Sequence, residues 1–179
     1  MTLKVHIGSN ELEVLRSNLI GKPIFSLYAT VLSVRWPWCV ARYFAIRNDN
    51  IFVVIASDWS ETESLIDYHT MEVATTEFPQ GMRLKDVPSG VRRFSSPVSS
   101  FAISPPKSRC LRIEVHEYCE SDASVTVHYD DALVFLLDDR RRFAIIANRS
   151  IEGGVAVTRD EDAIDELAER HTLRTVLSA

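Results

Sequence analysis

Apolar side chains recur with a period of two along much of the chain, and that alternation predicts strands, whose successive residues face opposite sides of a sheet. Leu111, Ile113 and Val115 alternate with Arg112, Glu114 and His116, and residues 69–75 place Met71 and Val73 on one face. Residues 24–34, 41–46, 51–56, 125–137 and 142–148 are rich in the β-branched, aromatic and aliphatic types that pack well on a pleated surface. Arg47-Asn48-Asp49-Asn50 and Asp138-Asp139-Arg140-Arg141 interrupt these runs and read as hairpin turns, because Asn and Asp tolerate the left-handed backbone that tight turns need. The first turn with the run at 69–75 beyond it suggests a meander.

Helical spacing appears at two places. Leu12, Leu15 and Leu19 lie on one side of a short helix, with Ser9 or Asn10 as its cap and Gly21 and Pro23 ending it. Further on, Gly153-Gly154 turns the chain into a strand at 155–157, and Thr158 with Glu161 forms a capping-box signature. The helix it opens has Ala163, Ile164, Leu167 and Ala168 as its apolar face. Asp160, Glu161 and Asp162 suit its positive end, and Arg170 and His171 its negative end. The expected fold class is α+β: mostly antiparallel sheet built from hairpins, with a short N-terminal helix and a C-terminal helix.

Five of the seven prolines (Pro79, Pro88, Pro97, Pro105 and Pro106) fall within 79–107 beside Ser95, Ser96, Ser99 and Ser100. Each proline removes a ladder donor and restricts its neighbour, so the segment reads as a linker or long loop. The expectation is one compact domain over 1–179, divisible into sub-units 1–78 and 108–179 joined by 79–107. Phe44, Phe52 and Ala56 precede Phe135, Phe143 and Ala147 by 91 positions each. A duplicated β-unit gives that spacing, and so do two unrelated core hairpins.

At 179 residues, with 46% hydrophobic and 25% charged side chains, the chain supports a full core and is unlike disordered sequences. A net charge of −5 argues against broad contact with phosphate backbones and suits a basic partner. Cys39, Cys110 and Cys119 are an odd number, the first residues lack a secretory apolar core, and the apolar runs are too short to cross a bilayer. These features together lead to the expectation of a cytoplasmic protein without membrane contact.

The sequence offers no phosphate-binding glycine loop, no serine set between glycines, and no second cysteine after a two-residue gap from Cys39, where Arg42 stands instead. Cys110, His116, Cys119 and His128 are of zinc-ligand type, but their spacing is that of no zinc module. Of the four, His116 is expected to point away from the apolar face of its strand. No cofactor, metal ligand or catalytic residue is assigned. Carboxylates cluster at Glu61, Glu63 and Asp67; at Glu114, Glu117, Glu120 and Asp122; at Asp130 and Asp131; and at Asp138 and Asp139, all of which read as solvated surface. Arg92-Arg93 and Arg140-Arg141-Arg142, each followed by a phenylalanine, read as charged surface rather than a nucleic-acid site, with Phe143 facing the core.

With its acidic clusters and its candidate exposed aromatics Trp36, Trp38 and Trp59, the chain resembles in type the immunity proteins of bacterial contact-dependent growth-inhibition systems. The resemblance rests on size, charge and β-rich composition. It implies a non-enzymatic module that binds a basic protein, such as a toxin nuclease domain, and occludes its active site. The implied contact residues are Trp59, Glu61, Glu63 and Asp67, or Glu114, Glu117, Tyr118, Glu120 and Asp122. The alternative is a small hydrolase or nuclease using His116 or His128 near Glu114 or Asp130.

Overall fold

The computed structural model describes residues 1–48, 51–82, 84–86, 92–94, 98–104 and 108–179. Asp49, Asn50, Pro88, Ser95, Ser96, Pro97, Pro105 and Pro106 lie outside the described residues, as do the side chains of Arg92, Arg93 and Phe94. The alternating segments form strands in the order β1 (Thr2–Val5), β2 (Ser26–Ala29), β3 (Leu32–Arg35), β4 (Trp38–Ala41), β5 (Tyr43–Asn48), β6 (Ile51–Glu61), β7 (Asp67–Thr76), β8 (Leu84–Asp86), β9 (Arg92–Phe94), β10 (Ser99–Ala102), β11 (Cys110–Ser121), β12 (Thr126–Leu137), β13 (Arg142–Ala147), β14 (Val155–Thr158) and β15 (Thr172–Ser178). Helix α1 (Ser9–Leu19) follows β1, and α2 (Glu161–Arg170) lies between β14 and β15. The fold is α+β with mostly antiparallel sheet, one helix near each end of the chain.

An eight-stranded sheet runs β15-β11-β12-β13-β14-β4-β3, with β1 added parallel to the start of β12. A five-stranded sheet runs β10-β2-β5-β6-β7 and contains the expected meander, and β8 pairs with β9. The two larger sheets share one apolar core. Phe44, Ile46, Val53 and Ile55 from the five-stranded sheet cluster with Ile113, Leu133, Phe135, Phe143 and Val157 from the eight-stranded one, and α1 adds Leu15 and Leu19. Helix α2 covers the opposite face of the larger sheet, laying Ile164 and Leu167 on Ala132, Val134 and Ala144.

Several expectations are corrected at this level. Residues 24–34 are not one strand: β2 belongs to the five-stranded sheet and β3 to the eight-stranded sheet, and the chain changes sheet again between Ala41 of β4 and Tyr43 of β5. Strands from 1–78 thus serve both sheets, and β3, β4 and β1 complete the sheet built largely from 108–179. The proline-rich segment is more than a linker. Ser99 and Ser100 belong to β10, which pairs with β2 and is an edge strand among the described residues, a position that tolerates nearby prolines. Leu111 is exposed, because an irregularity between Cys110 and Arg112 shifts the alternation and turns Cys110 inward instead. His116 is buried rather than turned to solvent.

Both helix caps lie beside the residues expected. The cap of α1 is Gly8, whose N–H donates to Glu11 Oε2 at 2.9 Å, while Glu11 Oε1 accepts from Val73 N and ties the helix start to β7. The cap of α2 is Asp160, accepting from Ala163 N at 3.0 Å; Thr158 is the last residue of β14 and donates to Pro37 O. Ala168 is exposed, so the buried face of α2 is narrower than its sequence suggested. The second hairpin forms as expected, with Arg140 at φ +67° and Leu137 N donating to Arg141 O. Phe135 and Phe143 oppose each other there with stacked rings 4.3 Å apart, whereas Phe44 opposes Ile55 and Phe52 opposes Arg47. The offset of 91 positions therefore relates residue types while the two registers differ.

Gly154 fastens the two sheets together. Its N–H donates to Ser57 O of β6 at 2.7 Å, its φ is +90°, and an added Cβ would stand 2.7 Å from Ala41 O. Substitution must both strain the backbone and displace a carbonyl. We expect Gly154→Ala to lower the unfolding free energy by about 2 kcal/mol or more, measured by urea denaturation; a change within about 0.5 kcal/mol, the size of a neutral surface substitution, would show that the contact is not tight.

Candidate functional site

Two hairpin tips that are far apart in sequence meet in space. At the tip after β6, Thr62 N donates to Ile66 O and Leu65 takes the left-handed conformation at φ +61°. At the tip after β11, one carboxylate oxygen of Asp122 accepts from the amides of Ser124 and Val125 and from the Ser124 hydroxyl. Amide hydrogen bonds from Val125 and then Ser124 hold the Asp122 carboxyl below its ordinary range, so it keeps its charge and the turn its shape. Ser124 Oγ reaches Ser64 Oγ at 3.2 Å and joins the tips.

Between them lies a cavity of about 580 Å³ lined by Trp59, Leu65, Ile66, Asp67, His69, Glu120, Asp122, Tyr129, Arg149 and Ile151, among others. Four residues of the two alternative contact sets, Trp59, Asp67, Glu120 and Asp122, thus share one concavity. Glu61 stands directly opposite Asp67 in the β6–β7 register, and Glu63 is exposed in the turn between them. Leu65 and Ile151 are 76% and 78% exposed, an apolar rim beside the carboxylates.

The remaining members of the second set are engaged elsewhere. Glu114 pairs with Arg112 at 2.7 Å and contacts His116 at 3.4 Å. Glu117 binds His6 and His128. Partial burial raises its pKa, but the hydrogen bonds from His128 and His6 outweigh that and leave its carboxyl below the usual range. Tyr118 lies beneath Arg149, whose guanidinium carbon is 3.8 Å from the ring centroid, a cation–π contact.

Asp130 and Asp131 are not surface residues: they are 1% and 0% exposed. In the pairing of β11 with β12, His116 opposes Ala132 and Glu117 opposes Asp130, which leaves Asp131 as the extra residue of a bulge. Asp130 is clamped by Arg174 through two hydrogen bonds of 2.6 Å and accepts from Ile7 N at 2.7 Å. Asp131 Oδ2 accepts from His171 at 2.7 Å and from Arg149 at 3.0 Å. The carboxylate in turn holds the Arg149 pKa up, against the burial that would lower it.

Arg149, His69 and Asp131 were missed by sequence reasoning. The one available signal was an Asp-Asp pair inside an apolar strand, where a carboxylate must find a cation or leave the core. Of the histidine–carboxylate pairs foreseen for an enzyme, His116 and Glu114 meet at 3.4 Å, whereas His128 joins Glu117 at 2.9 Å and Asp130 is held by Arg174. Among the described residues no three ligand-type side chains are grouped for a metal ion. Of the four zinc-type residues, Cys119 and His128 come together, at 3.8 Å, while Cys110 is buried in the core and donates to Arg112 O. No helix among the described residues is long and apolar enough to cross a membrane.

Among the described residues, Trp59 Nε1, His69 Nδ1 and Asp131 Oδ1 are buried without a hydrogen-bond partner. Trp59 and His69 are cross-strand neighbours on the cavity wall. Burial lowers the pKa of His69 and of His116, against the pull of nearby carboxylates, so in the fold both stay neutral at a pH where an unfolded histidine takes up a proton. Their contribution to stability is fully present above the ordinary histidine pKa of 6.5 and is lost as pH falls below it toward the lower folded values. We expect the urea midpoint to drop between about pH 7.5 and 5.5, each histidine contributing at most about 1.4 kcal/mol per pH unit, and His69→Gln to flatten the slope; an unchanged slope in that variant would refute the assignment to His69. No protein-family model, no curated protein and no solved structure matches the chain.

Proposed function

We propose that the chain is a non-enzymatic protein-binding module whose acidic cavity and rim cover a basic surface of a partner. The observation that carries this reading is the register of Glu61 against Asp67, two exposed carboxylates directly opposite on neighbouring strands. Like charges in that position destabilise a sheet. Glu120 and Asp122 add negative charge across the concavity that Asp67 also lines, offset in part by Arg149 on its wall and by the N-terminal ammonium near Asp122, and a lysine- or arginine-rich surface relieves the remainder. Trp59 on the wall and exposed Leu65 and Ile151 on the rim supply the apolar anchors that slow dissociation.

Occlusion of a nucleic-acid-processing enzyme fits this arrangement, since such enzymes hold phosphate backbones with clustered cations. A cytoplasmic immunity protein that neutralises a toxin nuclease domain works in this way, and this is the role we assign. The carboxylates stand in for the phosphates, and binding weakens with salt as a rim interaction should. His116 and His128 have no place in this role, and Glu114, Glu117 and Tyr118 support the fold rather than touch the partner.

Two measurements test the reading. Tagged protein should retain a basic partner from its native cells at moderate salt, and the partner's nuclease activity should disappear when the purified chain is added. Replacing Asp67 and Glu120 together by lysine should weaken that complex by about tenfold or more, equivalent to about 1.4 kcal/mol, while Asp138→Lys on the distant hairpin should not. Equal retention by all three proteins would refute the acidic site, and a partner whose activity is unaffected would refute neutralisation. In the free protein, Glu61→Lys should raise the unfolding free energy by about 0.2–1 kcal/mol; a loss of stability would show that the carboxylate pair is not in conflict.

A further inference from the structure

The face of β11 turned away from the cavity carries a different chemistry. Tyr118 lies under Arg149 and Glu120 lines the cavity, so strand alternation projects Glu117 and Cys119 from the opposite side. Cys119 is exposed and opposes His128 in the β11–β12 register. Its Sγ is 3.8 Å from His128 Nε2, His128 Nδ1 is 2.9 Å from Glu117 Oε1, and Glu117 Oε2 is 2.6 Å from His6 Nε2.

We propose that Cys119 is an activated thiol, with His128 as its proton acceptor and Glu117 as the residue that positions His128, and that it is a modification site for small electrophiles and low-molecular-mass disulfides. The arrangement is that of nucleophile, base and orienting acid, in which the acid fixes the tautomer of the imidazole. Glu117 accepts the Nδ1 proton of His128, so Nε2 presents its lone pair to the thiol. His6 on the second oxygen of Glu117 keeps that carboxylate in place, and its charge is secured because hydrogen bonds from the two histidines outweigh its partial burial. The other charged groups near the relay are Lys4, which stands beside His128 in the parallel β1–β12 pair, and Asp130 beside Glu117, already neutralised by Arg174.

Access is open. The pairing of β11 with β15 ends at Glu117, so the outer edge of β11 has no β15 partner at Cys119. The other two thiols make internal comparisons: Cys39 is half-buried, and burial pushes the fully buried Cys110 up to about 12. In the proposed step the Cys119 proton passes to His128 Nε2 and the thiolate attacks one sulfur of a disulfide. The old S–S bond breaks as the new one forms. The departing thiolate leaves with the electron pair and takes up the proton from His128, so Cys119 is oxidised and the leaving sulfur reduced.

The full chain, treated with iodoacetamide or with oxidised glutathione near pH 7, tests this when mapped by mass spectrometry. Cys119 should react first, about tenfold faster than free glutathione thiol or Cys39, because His128 stands ready to take its proton as it attacks. His128→Asn should remove most of that advantage at pH 7, and the gap between variant and parent should close in alkaline solution, where hydroxide takes thiol protons without help from a base. Glu117→Gln should slow the reaction while leaving Cys119 exposed, and Cys119→Ser should abolish the fast phase, each variant being shown folded by its urea transition. Labelling of Cys119 at the rate of free thiol across the pH range, or a folded His128→Asn variant that reacts like the parent, would overturn the proposal.

Discussion

The structure depends on how two adjacent buried carboxylates, Asp130 and Asp131, are neutralised. A bulge in β12 turns the pair toward different partners, and each partner comes from a different part of the chain: Ile7 N–H from the link between β1 and α1, Arg174 from β15, Arg149 from the connection after β13, and His171 from the end of α2. An unpaired charge in such a place costs several kcal/mol, so these segments are held where electrostatics requires them as well as where apolar contact prefers them. The neutralisation of Asp131 also shapes the wall of the cavity, since the Arg149 that reaches that carboxylate also lies over Tyr118.

Local structure was legible in the sequence wherever the cause was local. Asp138-Asp139-Arg140-Arg141 turns the β12–β13 hairpin, and the leucines of α1 and the Ile164–Leu167 face of α2 pack as their spacing implies. The caps lie at Gly8, whose N–H the Glu11 carboxylate accepts, and at Asp160, while the Thr158 hydroxyl donates to Pro37 O and accepts from Asp160 N. What periodicity did not carry was sheet membership. Residues 24–34 look uniform yet divide between two sheets, and Leu111 lies on the wrong side of its own alternation because an irregular pairing shifts it. A period of two names the faces of a strand and is silent about its neighbours.

The candidate site was half legible for a related reason. Its carboxylates are conspicuous in the sequence, but whether Asp67 and Glu120 share a concavity depends on the meeting of two hairpin tips, and no residue near either announces the other. Arg149 stands alone between Asn148 and Ser150 and acquires meaning from Asp131, eighteen positions earlier. On β11 the alternation separates two environments: Glu120 lines the acidic cavity and Tyr118 lies under Arg149, whereas Glu117 and Cys119 both meet His128. A single strand thereby borders the cavity of the proposed binding surface on one side and carries the proposed thiol relay on the other.

The clamp of Arg174 on Asp130 also bears on how the protein reaches its native state during synthesis. The carboxylate is translated 44 residues before the guanidinium that neutralises it. Until β15 docks on β11, Asp130 in the β11–β12 ribbon lacks the guanidinium that neutralises it, and enclosing the charged carboxylate costs several kcal/mol. Completion of the larger sheet is therefore postponed to the last strand. Until that strand docks, the apolar face and the unpaired edge of the β11–β12 ribbon stay exposed, the condition in which a nascent chain is prone to aggregate.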